Sequence, residues 1–276
     1  MTLSSILPQP AYLYDPAWQP ELERLRALEE LFEPASRHFI ARLGLAPGWR
    51  CLEVGGGAGG LVGWLADRVG ASGHVLATDL DPRFLAAQAR DNVEVRRHDL
   101  VRDPPIESDR FDLVHARAVL EHLADPRAGL ARLASAVRPG GWLVVEDIDF
   151  GGAHIPAAMA HFVSPASRGA VYRKIIAAMR ELVAHQGLRP AVGASLPTAL
   201  HEAGLCDVGA ELHAPFVAGG AARDCMRLTV EYLRPRLVGS GLVDDADIAA
   251  FVHLTRDTAF RYVPVLMVTA WGRRSA

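Results

Sequence analysis

Cys51-Leu-Glu-Val-Gly-Gly-Gly-Ala-Gly-Gly60 is the stretch whose reading decides the fold. A short apolar strand from Trp49 to Val54 runs into six residues, five glycines and one alanine. Behind them Leu61-Val-Gly-Trp-Leu-Ala-Asp-Arg-Val69 repeats its apolar residues at helical spacing, so the stretch reads as strand, tight turn and helix. Glycines let the backbone take positive φ and bring a ligand close with no Cβ in the way, while the first turn of the helix offers unpaired N–H groups. A small molecule with a nucleotide-like part is expected on this turn.

Two patterns fit the turn at once. Gly55, Gly57 and Gly60 satisfy the G-x-G-x-x-G of dinucleotide sites, and Glu53, Gly55, Gly57 and Gly59 satisfy the acidic-x-G-x-G-x-G of S-adenosylmethionine sites. The residues downstream decide between them. After a turn at Gly70 to Gly73, His74-Val-Leu-Ala-Thr-Asp79 reads as a second buried strand. Asp79 ends it about 20 residues beyond the glycines, where a carboxylate accepts both ribose hydroxyls of an adenosine, which both ligands carry. Asp81 and Pro82 read as the N-cap and first position of a helix reaching Ala89.

Val93 to His98 is a third strand, followed at once by Asp99-Leu100. Arg110 to Arg117 is a fourth, with a helix from Ala118 to Leu123 behind it. A helix from Pro126 to Val137 ends at Arg138-Pro-Gly-Gly141, and Gly141 to Asp147 is a fifth strand. This alternation over residues 49 to 149 predicts an α/β fold: a doubly wound, Rossmann-like, mostly parallel sheet. In such a sheet the loops at the carboxyl ends of the strands share one crevice, so Glu53 to Gly59, Asp79 to Asp81, Asp99-Leu100, Ala116-Arg117 and Asp147 to Asp149 converge.

Before the first strand, Pro8, Pro10, Tyr12, Tyr14, Pro16 and Pro20 mark an ordered arm or a loose lead-in. Two helices interrupted at Pro34 follow over residues 21 to 43. After Phe150 an insertion opens at Gly151-Gly152, contains His154 and His161, and continues into a long helix from about Gly169 to Gln186. A helix from Leu196 to Ala203, a sixth strand from Cys206 to Phe216, helices Ala222 to Tyr232 and Asp245 to Tyr262, and a last strand from Val263 to Gly272 complete a seven-stranded sheet. The expected organisation is an N-terminal arm and helices over residues 1–43 and one domain over 44–276. That domain carries a lid insertion at about 151–195 and a helical insertion at about 221–262.

Composition narrows the partners. With 29 basic against 32 acidic residues in 276, a formal charge of −3 and no dense basic run, the chain lacks the positive surface that nucleic-acid binding needs. Cys51, Cys206 and Cys225 have neither metal-type nor disulfide-framework spacing. No leader is apparent and no apolar run nears the roughly 18 residues of a membrane span, so a cytoplasmic protein with a small-molecule partner is expected, with a homodimer among its candidate assemblies.

Taken in order, Glu53-x-Gly55-x-Gly57-x-Gly59, Asp79, His98-Asp99-Leu100, Phe111-Asp-Leu-Val-His-Ala-Arg117 and Arg138-Pro-Gly-Gly141 resemble the class I S-adenosylmethionine-dependent methyltransferases over roughly residues 40 to 150. The tyrosine-bearing lead-in and Glu21-Leu-Glu-Arg-Leu25 resemble its ubiquinone/menaquinone-type and bacterial natural-product branch. The resemblance implies S-adenosylmethionine as cofactor and a binding set of Glu53, Gly55, Gly57, Asp79, Leu80, Asp99, Leu100 and Arg117. Within it, Gly55 and Gly57 pass the methionine portion and Asp79 holds the ribose. Asp99 takes the adenine amino group, the Leu100 amide meets a ring nitrogen, and the backbone near Ala116-Arg117 meets the methionine ammonium. Arg117 either binds the cofactor carboxylate by its guanidinium or contributes backbone alone.

Methyl transfer from a sulfonium is a direct displacement, so in-line approach carries much of the acceleration, and a base is needed only for a weakly acidic hydroxyl or a carbon acid. His154 and His161 are the candidate bases, because histidine titrates near working pH and the insertion follows the fifth strand. His122 reads as a structural residue. Asp147 and Asp149 are either solvated loop carboxylates or groups that orient substrate, and Tyr12 and Tyr14 either close over the cofactor or pack on the helices. No clustered oxygen ligands are present, so no metal is expected. The expected activity is methylation of a small apolar or aromatic acceptor, quinone-like or a secondary metabolite, with O-methylation ahead of C or N. Two alternatives stay open: the same fold catalysing a reaction such as cyclisation, and an NAD(P)-dependent oxidoreductase.

Overall fold

A computed structural model describes residues 19–151, 154–186, 191–218, 220 and 222–276, the side chains of His154 and Pro156 excepted. Pro8, Pro10, Tyr12, Tyr14 and Pro16 of the expected arm lie outside the described residues. The chain forms two compact units, one of residues 32–149, 192–213 and 267–276, the other of residues 1–31, 150–191 and 214–266.

The first unit is a sheet with a helical layer on each face. Its strands are β1 (Arg50–Val54), β2 (His74–Asp79), β3 (Val93–Arg97), β4 (Phe111–Arg117), β5 (Val137–Asp149), β6 (Cys206–His213) and β7 (Leu266–Arg273). They lie in the order β3-β2-β1-β4-β5-β7-β6. β1 pairs in parallel with β2 and β4, as do β2 with β3 and β4 with β5, whereas β6 and β7 are antiparallel.

Alternation along each strand sends successive side chains to opposite faces. Cys51, Val75, Leu113 and Val144 pack with Phe39 and Ile40 of α1 (Glu21–Arg42) and with Leu61 and Leu65 of α2 (Gly60–Val69). Leu52, Leu76, Val114 and Val145 face the other way, onto Leu130 and Leu133 of α3 (Pro126–Ala136) and later Leu196 and Leu200. Strands that alternate and are yet buried on both faces are what a parallel sheet covered by helices demands.

The second unit is mainly helical, with α4 (His154–His161), α5 (Gly169–His185), α7 (Ala222–Gly239) and α8 (Asp245–Arg256); α6 (Val192–Glu202) belongs to the sheet unit. Its centre is aromatic. Tyr262 stacks on Phe260 with centroids 4.8 Å apart and meets the edge of Tyr172 at 5.7 Å. The buried hydroxyls are paired, Tyr172 donating to the Val263 carbonyl and Tyr262 to that of Arg223. Among the described residues, no helix is long and apolar enough to cross a membrane.

Three local expectations are corrected. α1 is one helix with Pro34 inside it, because Phe32, Phe39 and Ile40 are buried on either side of the proline and their packing outweighs the lost backbone hydrogen bond. The helix expected after Asp81 is two single 3-10 turns, Pro82–Phe84 and Ala86–Gln88, and the one expected after β4 is another, Leu120–His122. Runs this short, ended by the extended residues Ala89 and Leu123, have no room for α-helical ladders.

Candidate functional site

The glycine turn follows β1 directly. Gly55, Gly57 and Gly59 have φ of +72, +57 and +92°. A Cβ on Gly55 would sit 2.5 Å from Val119 Cγ2, and one on Gly59 2.7 Å from Gln88 Cγ. Backbone conformation and close approach by the segments after β4 and β2 thus both demand glycine here. Gly55 and Gly56 donate to the Thr78 carbonyl at 2.8 and 3.1 Å, which fastens the turn to the end of β2.

Asp79 closes β2 and braces the turn from the side. Its Oδ2 accepts from Gly57 N at 3.1 Å and its Oδ1 from Asp81 N at 3.0 Å. Burial pushes its carboxyl above the ordinary value, against the pull of those amides. Leu80 beside it is 37% exposed, a large apolar side chain left in the open at the end of β2. Asp99 follows β3. Its Oδ1 caps the next turn, accepting from Val101 N at 2.9 Å and Arg102 N at 3.0 Å, while Arg102 Nε lies 3.9 Å from Oδ2. Slight burial raises its carboxyl, but the two amides and the guanidinium outweigh that and hold it below the usual range. Leu100 is a core residue, packed with the cluster that includes Leu130 and Leu133.

Arg117 ends β4. Its Nη1 donates to Ser36 Oγ on α1 at 2.9 Å, so the guanidinium is drawn onto the α1 face of the sheet. Ala118 takes a left-handed φ of +53° and donates its N–H to the Glu146 carbonyl at 2.7 Å, a bend that lays Val119 over Gly55. Because β3, β2, β1 and β4 are consecutive and parallel, Asp99, Asp79, the glycine turn and Arg117-Ala118 line one sheet edge in that order. Three inter-strand steps of about 4.8 Å make the row roughly 14 Å long.

Beneath that edge, on the α1 face, lies a buried polar network that the sequence reading missed. His115 Nδ1 is 2.7 Å from Glu53 Oε2 and Nε2 is 3.4 Å from Glu146 Oε2. Ser36 Oγ donates to Glu146 Oε2 at 2.5 Å and Thr269 Oγ1 to Glu146 Oε1 at 2.8 Å. Burial alone would lower the His115 pKa, but the two carboxylates outweigh it and raise it to about 9. Burial likewise opposes ionisation of Glu146, yet His115, Arg117 and Ser36 together lower its pKa to about 2. The one available signal was a histidine and two glutamates, His115, Glu53 and Glu146, at positions of otherwise apolar buried strands.

The carboxylates at the end of β5 prove to be fold-holding groups. Asp147 is fully buried, and its Oδ1 accepts from Glu121 N at 3.1 Å while Glu121 Oε2 accepts from Ile148 N at 3.1 Å. Burial, then the charge of Glu121, pushes the Asp147 carboxyl well up, and its Oδ2 has no hydrogen-bond partner. Asp149 is also buried and accepts from Ala194 N in the first turn of α6 at 2.6 Å. Neither is the solvated loop carboxylate allowed for above. His122 sits with its Nε2 3.5 Å from Glu121 Oε1, in the same clasp.

His161 ends α4, exposed, with its ring edge-on to Phe162 at 5.5 Å. His154 opens α4, and its side chain lies outside the described residues. Among the described residues no cluster of three or more His, Cys, Asp or Glu could hold a metal ion.

Residues 52–143 match the family model of a methyltransferase domain. The chain is 34% identical over 130 residues to methyltransferase str3 of Strobilurus tenacellus, an alignment of 47% of this chain and 46% of that protein. It is 31% identical over 109 residues to the ubiquinone/menaquinone biosynthesis C-methyltransferase UbiE of Vibrio campbellii, covering 37% of this chain and 42% of that one. The chain thus spans less than half the length of these curated relatives. In fold it is similar to a Haemonchus contortus phosphoethanolamine N-methyltransferase 2 solved with S-adenosylhomocysteine, with a TM-score of 0.56 at 16% identity over 91% of this chain and 57% of that one. Over residues 52–143 the chain is thus similar to methyltransferase domains, and its mostly parallel seven-stranded sheet shares the fold of the methyltransferase structure it matches.

Proposed function

We propose that this protein transfers a methyl group from S-adenosylmethionine to a small-molecule acceptor. The observation that carries this reading is the row of Asp99, Asp79, three positive-φ glycines and Arg117-Ala118 along one sheet edge. The residues fit the cofactor: two carboxylates on adjacent strands suit the hydroxyls and amino group of an adenosine, and the cradle beside them is one that a Cβ would fill. Asp79 would hold the ribose and Asp99 the adenine amino group, with Leu80 and the Leu100 amide beside them and the amino-acid half lying beyond the turn, over β1 and β4.

When bound, the cofactor supplies an electrophilic methyl on a sulfonium; the acceptor's electron pair forms the new bond as the carbon–sulfur bond breaks toward sulfur. The chain's part is to fix the direction of approach, since a well-aligned near-attack geometry lowers such a barrier strongly. Asp147 and Asp149 are engaged by Glu121 and Ala194, so neither is offered as a base for a hydroxyl or carbon acceptor; His154 and His161 are the residues put forward for that role.

The acceptor is assigned to small apolar or aromatic molecules, quinols and phenols first, with O-methylation ahead. A relative named for ubiquinone/menaquinone biosynthesis supports a quinone-like acceptor, its own name giving methylation at carbon. Incubation with methyl-labelled S-adenosylmethionine and a panel of phenols, quinols and amines tests this: label should enter a phenol or quinol. Cofactor binding with no labelled product from any acceptor would contradict methyl transfer and favour another reaction on the same fold.

A further inference from the structure

Glu53, His115 and Glu146 come from three different strands, β1, β4 and β5, and Ser36 and Thr269 bring α1 and β7 into the same buried cluster. A polar cluster of this kind is costly to bury unless every member is paired. Here the pairing is nearly complete, and it is organised around one ring. Both nitrogens of His115 face carboxylate oxygens, at 2.7 and 3.4 Å. A neutral imidazole would turn a lone pair toward one of those oxygens, so the arrangement suits the imidazolium, which donates on both sides.

The cluster's place along the sheet edge gives it a direction. Asp99 and Asp79 stand at the ends of β3 and β2, and the adenosine half of a ligand lying along the edge is matched to them. The other half then reaches over β1 and β4, whose ends are Glu53-Val54 and Arg117. Glu53 is two residues before Gly55, and its Oε2 is tied to His115. Arg117 is tied to Ser36, which also donates to Glu146. One connected set of hydrogen bonds therefore fixes both charged side chains nearest to where the ammonium and carboxylate of an amino-acid moiety would lie.

We propose that His115 is a positioning residue for the amino-acid half of the cofactor, clamping Glu53 of β1 to Glu146 of β5 and, through Ser36, setting Arg117. This rests on the cofactor reading above. His115 does not itself reach the edge, being fully buried in the sheet. It acts through Glu53, which it holds directly, and through Arg117, which it reaches by way of Glu146 and Ser36, and removing it should leave the adenosine contacts of Asp79 and Asp99 untouched.

That separation provides the test. The binding of S-adenosylhomocysteine, which has the amino-acid half, is compared by calorimetry with that of 5′-methylthioadenosine, which lacks it, for the full chain and for His115→Gln. The variant is expected to bind S-adenosylhomocysteine at least tenfold more weakly, the scale of one lost charge-assisted hydrogen bond, and methylthioadenosine within twofold of wild type. Ser36→Ala, a smaller change that releases Arg117 and removes one of the hydrogen bonds to Glu146, is expected to give the same selective loss at about threefold or more. It decides the matter if His115→Gln fails to fold. An equal loss for both ligands, or no loss for either, would mean a structural cluster only and would overturn the proposal. If the wild-type protein binds neither ligand, the cofactor reading itself fails, and the proposal falls with it.

Discussion

Gly55 carries two separate demands, and each can be probed at a single residue. Its φ of +72° disfavours any other residue by about 1–2 kcal/mol, and a Cβ there would meet Val119 Cγ2 at 2.5 Å. Gly55→Ala is expected to lower the thermal midpoint by several degrees and to weaken cofactor binding. Adding Val119→Ala should restore part of the stability, because the clash is removed and the backbone strain is not. A double variant no more stable than Gly55→Ala alone would show that Val119 is not what the glycine accommodates. Asp147 is the opposite case. Its carboxyl is buried beside Glu121 with one oxygen unpartnered, so ionising it costs stability as pH rises above the ordinary carboxylate range. Asp147→Asn keeps an acceptor for Glu121 N and removes that charge, so at pH 8 its thermal midpoint should equal or exceed that of wild type. A clear drop would mean that the carboxylate is held ionised by something else.

Between elements, the chief coupling is the His115 network, and its pH dependence has a definite sign. The His115 pKa rises from 6.5 to about 9 on folding, so its contribution is complete below about pH 6.5 and is lost as pH rises through 9. Glu146 falls from 4.5 to about 2, so its contribution is present above about pH 4.5 and is lost as pH falls through 2. The histidine shift alone corresponds to stability on the order of 3 kcal/mol. Thermal unfolding of the cofactor-free protein should therefore show an alkaline decline between about pH 7 and 9.5 that is reduced in His115→Gln; parallel profiles for the two proteins would contradict the assignment. Little of this was legible beforehand. Hydrophobic alternation shows which strand positions are buried, and the glycine turn announces itself by composition, but partners 31, 62 and 110 residues apart meet only through the strand order. Local signals also failed where tertiary packing overruled them. Pro34 reads as a helix end and is carried inside α1 by its buried neighbours, while Asp147 and Asp149 read as either loop carboxylates or substrate-orienting groups because nothing nearby in sequence reveals Glu121 N or Ala194 N as their donors.

At the scale of the molecule, the sheet unit was the legible half. Its strands and crossovers are short-range patterns repeated in order, and a parallel sheet leaves few ways to connect them. The helical unit, of residues 1–31, 150–191 and 214–266, carries no comparable motif, so its helices are legible from periodicity and the roles of their residues are not. The account therefore stands first on its cofactor. Calorimetric titration with S-adenosylhomocysteine and, separately, with NADH, repeated on Asp99→Ala, tests this most directly. The expected result is micromolar binding of S-adenosylhomocysteine, weakened about tenfold or more in Asp99→Ala, with no binding of NADH. Binding of NADH in preference to S-adenosylhomocysteine, or of neither, would contradict it.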